Sequence, residues 1–258
     1  MYLESLDNKD VLPVILRNPN SCGVLAVETQ CRLVSASWSS LMGLLDLYSS
    51  NRSCPVNIAG SVILETDFCL MARKGVFGSK FSGILCHEEA GISCQETLRG
   101  LGGPVFKVSS NGEAAELVSK YDEYANFCAV GPRISAEKFG LQVIRESIQD
   151  TETWTRFFYL VHGDYSGPVI FSPGTRYYAW IVFELGNWPN ALALALLSFG
   201  NNQLNITQMQ CDSIEGKLRF AIEVRVMHNQ VNDFNRAVES FYKKVAKALV
   251  FGPFSVIC

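Results

Sequence analysis

The chain has 258 residues, 48% of them hydrophobic and 18% charged, enough to bury the core of one large domain or two modest ones. A net charge of −3 excludes the basic field that nucleic acid or an anionic membrane would require, and no apolar run reaches the roughly 18 residues of a membrane-spanning helix. Nine cysteines without a CxxC pair, and only His87, His162 and His228 as histidines, leave little material for a metal centre or a histidine-based triad. The expectation is therefore an intracellular chain with reduced thiols that handles small molecules without a cofactor.

The opening MYLESLDNKD is acidic where a signal or transit peptide would be basic, which predicts a cytoplasmic location, or the plastid stroma if a leader precedes this sequence. SCGVLAVET reads as a buried strand and SASWSSLMGLLDLY as a helix opened by a serine cap. NIAGSVILETDFCLMARKG is one extended segment. FSGILC is a strand, EAGISCQETLRGLGG a helix closed by glycines, PVFKVSS a strand and NGEAAELVSKY a helix. FCAVG begins another strand, ISAEKFG is a short helix, and LQVIRESI leads towards the next strand. This alternation predicts an α/β unit with a mainly parallel sheet and helices on both faces.

TWTRFFYL, residues 153–160, is dense in strand-forming residues. Period-2 alternation puts Trp154, Arg156, Phe158 and Leu160 on one face and Thr155, Phe157, Tyr159 and Val161 on the other. Both faces are largely apolar, which predicts an interior strand covered on two sides. Arg156 cannot lose its charge, so it needs an anion or an outlet to solvent. A structural salt bridge and an awaiting anionic ligand both satisfy that requirement.

HGDYSGPVIFSPGT, residues 162–175, reads as a linker, and a different pattern follows it. RYYAWIVFEL is a strand, WPNALALALLSFGNN a helix, and NITQMQCDS and LRFAIEVRVM are strands. Residues 233–249 read as a helix with Phe234, Ala237, Val238, Phe241, Val245 and Leu249 on one face, and VFGPFSV closes the chain. The order βαββαβ predicts a ferredoxin-like unit.

Several segments, in order, resemble prephenate and arogenate dehydratases followed by an ACT regulatory domain. They are SLDNKDVLPVILRNPNSCGVLAVET, NIAGSVILETDFCLMARKG, CHEEAGISCQETLR and AVGPRISAEKFGLQVIRESIQDTETWTRF, the last ending in the family's Thr-Arg-Phe. The resemblance implies a two-lobed, periplasmic-binding-protein-like (type II) catalytic domain over residues 1–161 and a ferredoxin-like ACT domain over 176–258. It implies that Thr155, Arg156, Phe157 and Glu28 are catalytic, with Arg156 gripping a substrate carboxylate as a fork and Thr155 bonding the departing ring hydroxyl. Thr29, Gln30, Cys86 and His87 take the substrate-binding positions. Pro189, Asn190, Ala191, Leu192, Leu204 and Asn205 take those of an amino-acid effector site. The implied partners are prephenate or arogenate, phenylalanine as effector, and a second copy of the chain through the ACT domains.

The sequence also departs from the family. The family opens with a strand and a Gly-Pro-x-Gly-Thr-Phe loop, whereas Met1 corresponds to a point roughly one βαβ unit further on. That start predicts an unpaired sheet edge, covered by association or causing poor solubility. The family's Glu-Asn-Ser reads Glu28, Thr29, Gln30, and its following Gly-Ser reads Leu33, Val34. Its Ser-His-Pro-Gln reads Cys86, His87, Glu88, Glu89. The effector loop Gly-Ala-Leu reads Asn190, Ala191, Leu192, and Glu-Ser-Arg-Pro reads Gln210, Cys211, Asp212, Ser213, which predicts loss of phenylalanine binding. The alternative function is a catalytically impaired homologue that binds a ligand or pairs with an active dehydratase.

Overall fold

The computed structural model describes residues 8–29, 35–48, 54–76, 81–163, 175–214 and 217–257. They form two compact units, one from Met1–Leu64 with Arg156–Cys258 and one from Glu65–Thr155. The chain begins α1 (Asn8–Arg17), β1 (Cys22–Thr29), α2 (Ser35–Leu47) and β2 (Val56–Glu65). The single extended segment read from sequence is thus two strands, β2 in the first unit and β3 (Phe68–Ala72) in the second.

The second unit continues with β4 (Gly83–His87), α3 (Glu88–Ser93), α4 (Gln95–Leu101), β5 (Val105–Val108), α5 (Asn111–Lys120), β6 (Phe127–Pro132), α6 (Arg133–Phe139) and β7 (Gln142–Arg145). The helix expected over 89–103 breaks at Cys94 into α3 and α4, and Gly102 closes it at φ 73° as a left-handed cap. α5 starts where Ser110 Oγ accepts the Glu113 N–H at 3.0 Å. The strand order is β5-β4-β6-β3-β7. β4 runs parallel to β5 and β6, whereas β3 runs antiparallel to β6 and β7. The sheet is therefore mixed rather than mainly parallel: β5, β4 and β6, joined through helical crossovers, are parallel, while β3 runs against both of its neighbours.

The chain then forms β8 (Trp154–His162), β9 (Arg176–Glu184), α7 (Ala191–Gly200), β10 (Asn205–Ile214), β11 (Lys217–Val226), α8 (Val231–Tyr242) and β12 (Lys247–Ile257). Most of the expected linker, residues 164–174, lies outside the described residues. The order β12-β9-β11-β10, antiparallel throughout, is the ferredoxin-like arrangement expected from βαββαβ. The last helix is shorter than expected. It stops at Tyr242, and Leu249 lies in β12 opposite Val182. Leu249 continued the helical period because a core-packed strand is apolar as well, and Val245 because the connection between α8 and β12 packs against the core.

The two strand groups join into one seven-stranded sheet, β1-β8-β2-β12-β9-β11-β10. The join is a parallel pairing of β12 with β2, Val256 opposite Ser61 and Ile257 opposite Val62. β8 is interior, between β1 and β2, as its composition predicts. Only one of its faces is deeply covered, though: Arg156, Phe158 and Leu160 are buried, whereas Tyr159 is 44% exposed. Period-2 packing on β9 divides the core. Ala179, Ile181 and Phe183 face α7 and α8 with Phe199, Phe234 and Phe241, while Trp180 and Val182 pack with residues of α1, α2, β1 and β8. Trp38 of α2 meets Trp180 edge to face, ring centroids 5.0 Å apart.

Candidate functional site

The sheet curls far enough for its edge strands to meet through side chains: the Gln208 amide of β10 donates to Glu28 Oε1 of β1. Arg156 of β8 lies at this junction, only 5% exposed. Its Nη1 is 2.5 Å from Glu223 Oε2 of β11 and 3.7 Å from Glu28 Oε2. Its Nε donates to Ser61 Oγ of β2 at 3.0 Å. The guanidinium carbon lies 5.5 Å from the Phe158 ring centroid and 5.3 Å from that of Tyr178. Nη2 is buried and has no hydrogen-bond partner among the described residues. The question left open by the sequence thus has an intramolecular component, because Glu223 already supplies an anion to Arg156. Sequence reasoning missed Glu223, although an acidic residue inside the apolar run LRFAIEVRVM is the mirror image of Arg156 in TWTRFFYL.

Two carboxylates share this one guanidinium. Glu223 is 3% exposed, and its Oε1 accepts the Thr207 hydroxyl at 2.8 Å. At Glu28, burial pushes the carboxyl pKa up, against the opposing pull of Arg156 and the Gln208 hydrogen bond, and the nearby Glu223 charge adds to the rise. The native Glu28 carboxyl therefore holds its proton more tightly than the unfolded one. Its contribution to stability falls as pH rises from the ordinary carboxylate range through the raised value. Glu28→Gln keeps shape and hydrogen bonding, so its melting temperature should rise relative to the parent between about pH 4 and pH 7. A difference that stays flat, or moves the other way, would mean that pairing with Arg156 outweighs burial at this carboxyl.

The remaining expected site residues are distributed over both units. Thr29 ends β1 one residue after Glu28, and Phe157 is half-buried on the opposite face of β8. Gln30 lies outside the described residues. The unit boundary falls between Thr155 and Arg156, so Thr155, Cys86 and His87 belong to the second unit. Cys86 is buried at the end of β4, and desolvation raises its thiol pKa. His87 caps α3, Nδ1 accepting the Glu89 N–H at 3.4 Å, and its own N–H donates to Asn111 Oδ1 at 3.3 Å. Those bonds place His87 in a helix-capping role.

Of the effector-site positions, Asn190, Ala191 and Leu192 line a cavity of about 610 Å³ together with Trp188, Lys217 and Phe220. Asn190 caps α7 at φ 63°, the left-handed conformation that suits the glycine of the family loop. Pro189 precedes it in the turn. Leu204 is instead buried in the core beneath α7, and Asn205 opens β10. Asp212 is engaged elsewhere, accepting the Ser39 hydroxyl of α2 at 2.8 Å. Among the described residues no cluster of metal-ligating side chains occurs, and no helix is long and apolar enough to cross a membrane.

Residues 10–164 match the sequence profile of the prephenate dehydratase family. The chain is 31% identical over 158 residues to the chloroplastic arogenate dehydratase/prephenate dehydratase 2 of Arabidopsis thaliana, covering 60% of this chain and 40% of that protein. It is 25% identical over 225 residues to a bifunctional N-acyl-homoserine lactone acylase/prephenate dehydratase of Komagataeibacter europaeus, covering 84% of this chain and 78% of the other. The chain thus spans about two-fifths of the plant relative's length. Its fold is similar to that of a prephenate dehydratase from Arthrobacter aurescens solved in complex with L-Phe. There the TM-score is 0.79 at 19% identity, over 96% of this chain and 78% of that one.

Proposed function

The chain belongs to the prephenate dehydratase family, and from that premise we propose that it acts on prephenate or arogenate, with Arg156 gripping a substrate carboxylate. The observation that carries this reading is the position of the Thr-Arg-Phe arginine, buried with one amino group that has no hydrogen-bond partner among the described residues. A guanidinium in a low-dielectric setting binds a carboxylate more strongly than one in water. In the reaction the ring carbon loses carbon dioxide, the electron pair of that bond moves into the ring, and the ring C–O bond breaks as the ring becomes aromatic. The departing hydroxide takes a proton and leaves as water. The substrate supplies most of the driving force, so the protein's part is to orient it and assist the leaving group, with Thr155 bonding that hydroxyl and Glu28 the acid beside Arg156. No metal or organic cofactor enters this scheme. The ferredoxin-like half is read as an ACT-type regulatory domain whose loop, with Asn190 in place of glycine, does not take phenylalanine.

A second reading, a catalytically silent relative that binds the ligand or pairs with an active dehydratase, is favoured by the ion pair between Arg156 and Glu223. Turnover separates the two readings. Purified chain is expected to convert prephenate or arogenate to the aromatic product, and Arg156→Lys to lose most of that activity and of the calorimetric affinity, because lysine keeps the charge but lacks the planar fork. The same titration with phenylalanine should give no heat. Binding without turnover would select the silent relative, and equal affinity of Arg156→Lys and parent would assign Arg156 to structure alone.

A further inference from the structure

A guanidinium pairs best with a carboxylate through two parallel bonds, one from each of two nitrogens. The Arg156–Glu223 contact is not of that kind. Glu223 meets Nη1 through one oxygen, its other oxygen is held by the Thr207 hydroxyl, and the buried Nη2 has no hydrogen-bond partner among the described residues. Glu28 stands further off, at 3.7 Å from Nη1, with its second oxygen held by Gln208. The two holders are consecutive residues of β10, which in a regular strand would point to opposite faces. The register of β10 on β11 shifts between Ile206 and Gln208, and Thr207 is the unpaired extra residue of that irregularity. Such a bulge turns neighbouring side chains to one side. Here both reach the carboxylates around Arg156.

From this arrangement we infer that Glu223 is an internal occupant of the Arg156 anion site, a carboxylate lent by the ferredoxin-like half that an incoming ligand carboxylate must displace. The inference rests on the reading of Arg156 as the ligand-binding group. Glu223 then sets how readily the site accepts an anion, and the bulge at Thr207 determines how firmly Glu223 is held there. It acts through Arg156 and is a positioning residue rather than a catalytic one. The buried Nη2, without a hydrogen-bond partner among the described residues, fits this role, since that donor of the fork is left for the ligand while Glu223 covers the other.

The test is calorimetric titration of the full chain with prephenate. Glu223→Gln removes the competing charge while keeping side-chain volume and a hydrogen-bonding partner for Thr207. It is expected to bind prephenate about tenfold more tightly than the parent, or more, the scale of a charged hydrogen bond relieved. Thr207→Val loosens Glu223 without altering any charge and should tighten binding by a smaller factor. Adding Arg156→Lys to Glu223→Gln should remove the gain. A gain in affinity is a readout that mere loss of structure does not produce. Unchanged or weaker binding in a Glu223→Gln chain that melts cooperatively would overturn the inference, and if that variant does not fold, the same result with Thr207→Val does so. If Arg156→Lys leaves the affinity of the parent intact, it is the assignment of Arg156 itself that fails, whatever Glu223→Gln shows.

Discussion

Arg156→Met is expected to destabilise the chain by about 3–5 kcal/mol, the cost of leaving buried charge unpaired. Methionine fills much of the arginine's volume and can pack against Phe158 and Tyr178, so the loss would come mainly from Glu223 and Glu28, which keep their Thr207 and Gln208 bonds but lose their cation. The Glu28 carboxyl, whose pKa burial already pushes up, would be pushed up further without its cation. The destabilisation should therefore shrink as pH falls from about 7 towards about 4, where protonation of Glu28 removes a stranded charge. Urea unfolding followed by tryptophan fluorescence at the two pH values measures both effects. A loss below about 1 kcal/mol at neutral pH would place the ion cluster in the class of exposed pairs that contribute little.

The second large effect is expected at Trp180, which is fully buried and packs against Trp38, Phe158 and Phe251. Trp180→Ala should cost about 3–5 kcal/mol through lost contacts and the cavity left behind. Trp180→Phe should behave differently. The indole N–H is buried without a hydrogen-bond partner among the described residues, so removing it relieves an unsatisfied donor while most of the apolar volume stays. We expect the phenylalanine variant to lie within about 1.5 kcal/mol of the parent. Comparable losses for alanine and phenylalanine in denaturant titrations would show that ring size, not aromatic packing alone, holds this part of the core.

These two residues also show what was legible beforehand. Arg156 announced itself as a charge on a buried face, and the strand around it was readable from its composition. Its partner was not, because Glu223 lies in a distant segment and a contact formed by the curl of a sheet leaves no local period. The bulge at Thr207 is equally silent, since NITQMQCDS is mostly polar and offers no clear apolar alternation for an extra residue to interrupt. The ferredoxin-like order could be read from the count and type of elements, whereas the end of α8 could not, because Val245 in the following connection and Leu249 in β12 both fall on the helical period. Asn190 was identified from the loop it occupies, and its φ of 63° shows the backbone conformation that asparagine tolerates better than most residues.

The parallel pairing of β12 with β2 bears on how such a protein can be recombined. A C-terminal half attached only through a linker could be exchanged between relatives, deleted, or expressed alone. Here the final strand of that half is stitched into the sheet of the other, and Trp180, Phe251 and Phe254 share a core with residues of α1, α2 and β1. A chimera cut within residues 164–174 would import a foreign last strand that must satisfy the β2 backbone, and foreign side chains that must fit beside Trp38. The two halves are thereby bound to a common inheritance, and substitutions in one are screened by the packing of the other. A C-terminal swap would succeed only if it brought with it the matching faces of α2 and β2.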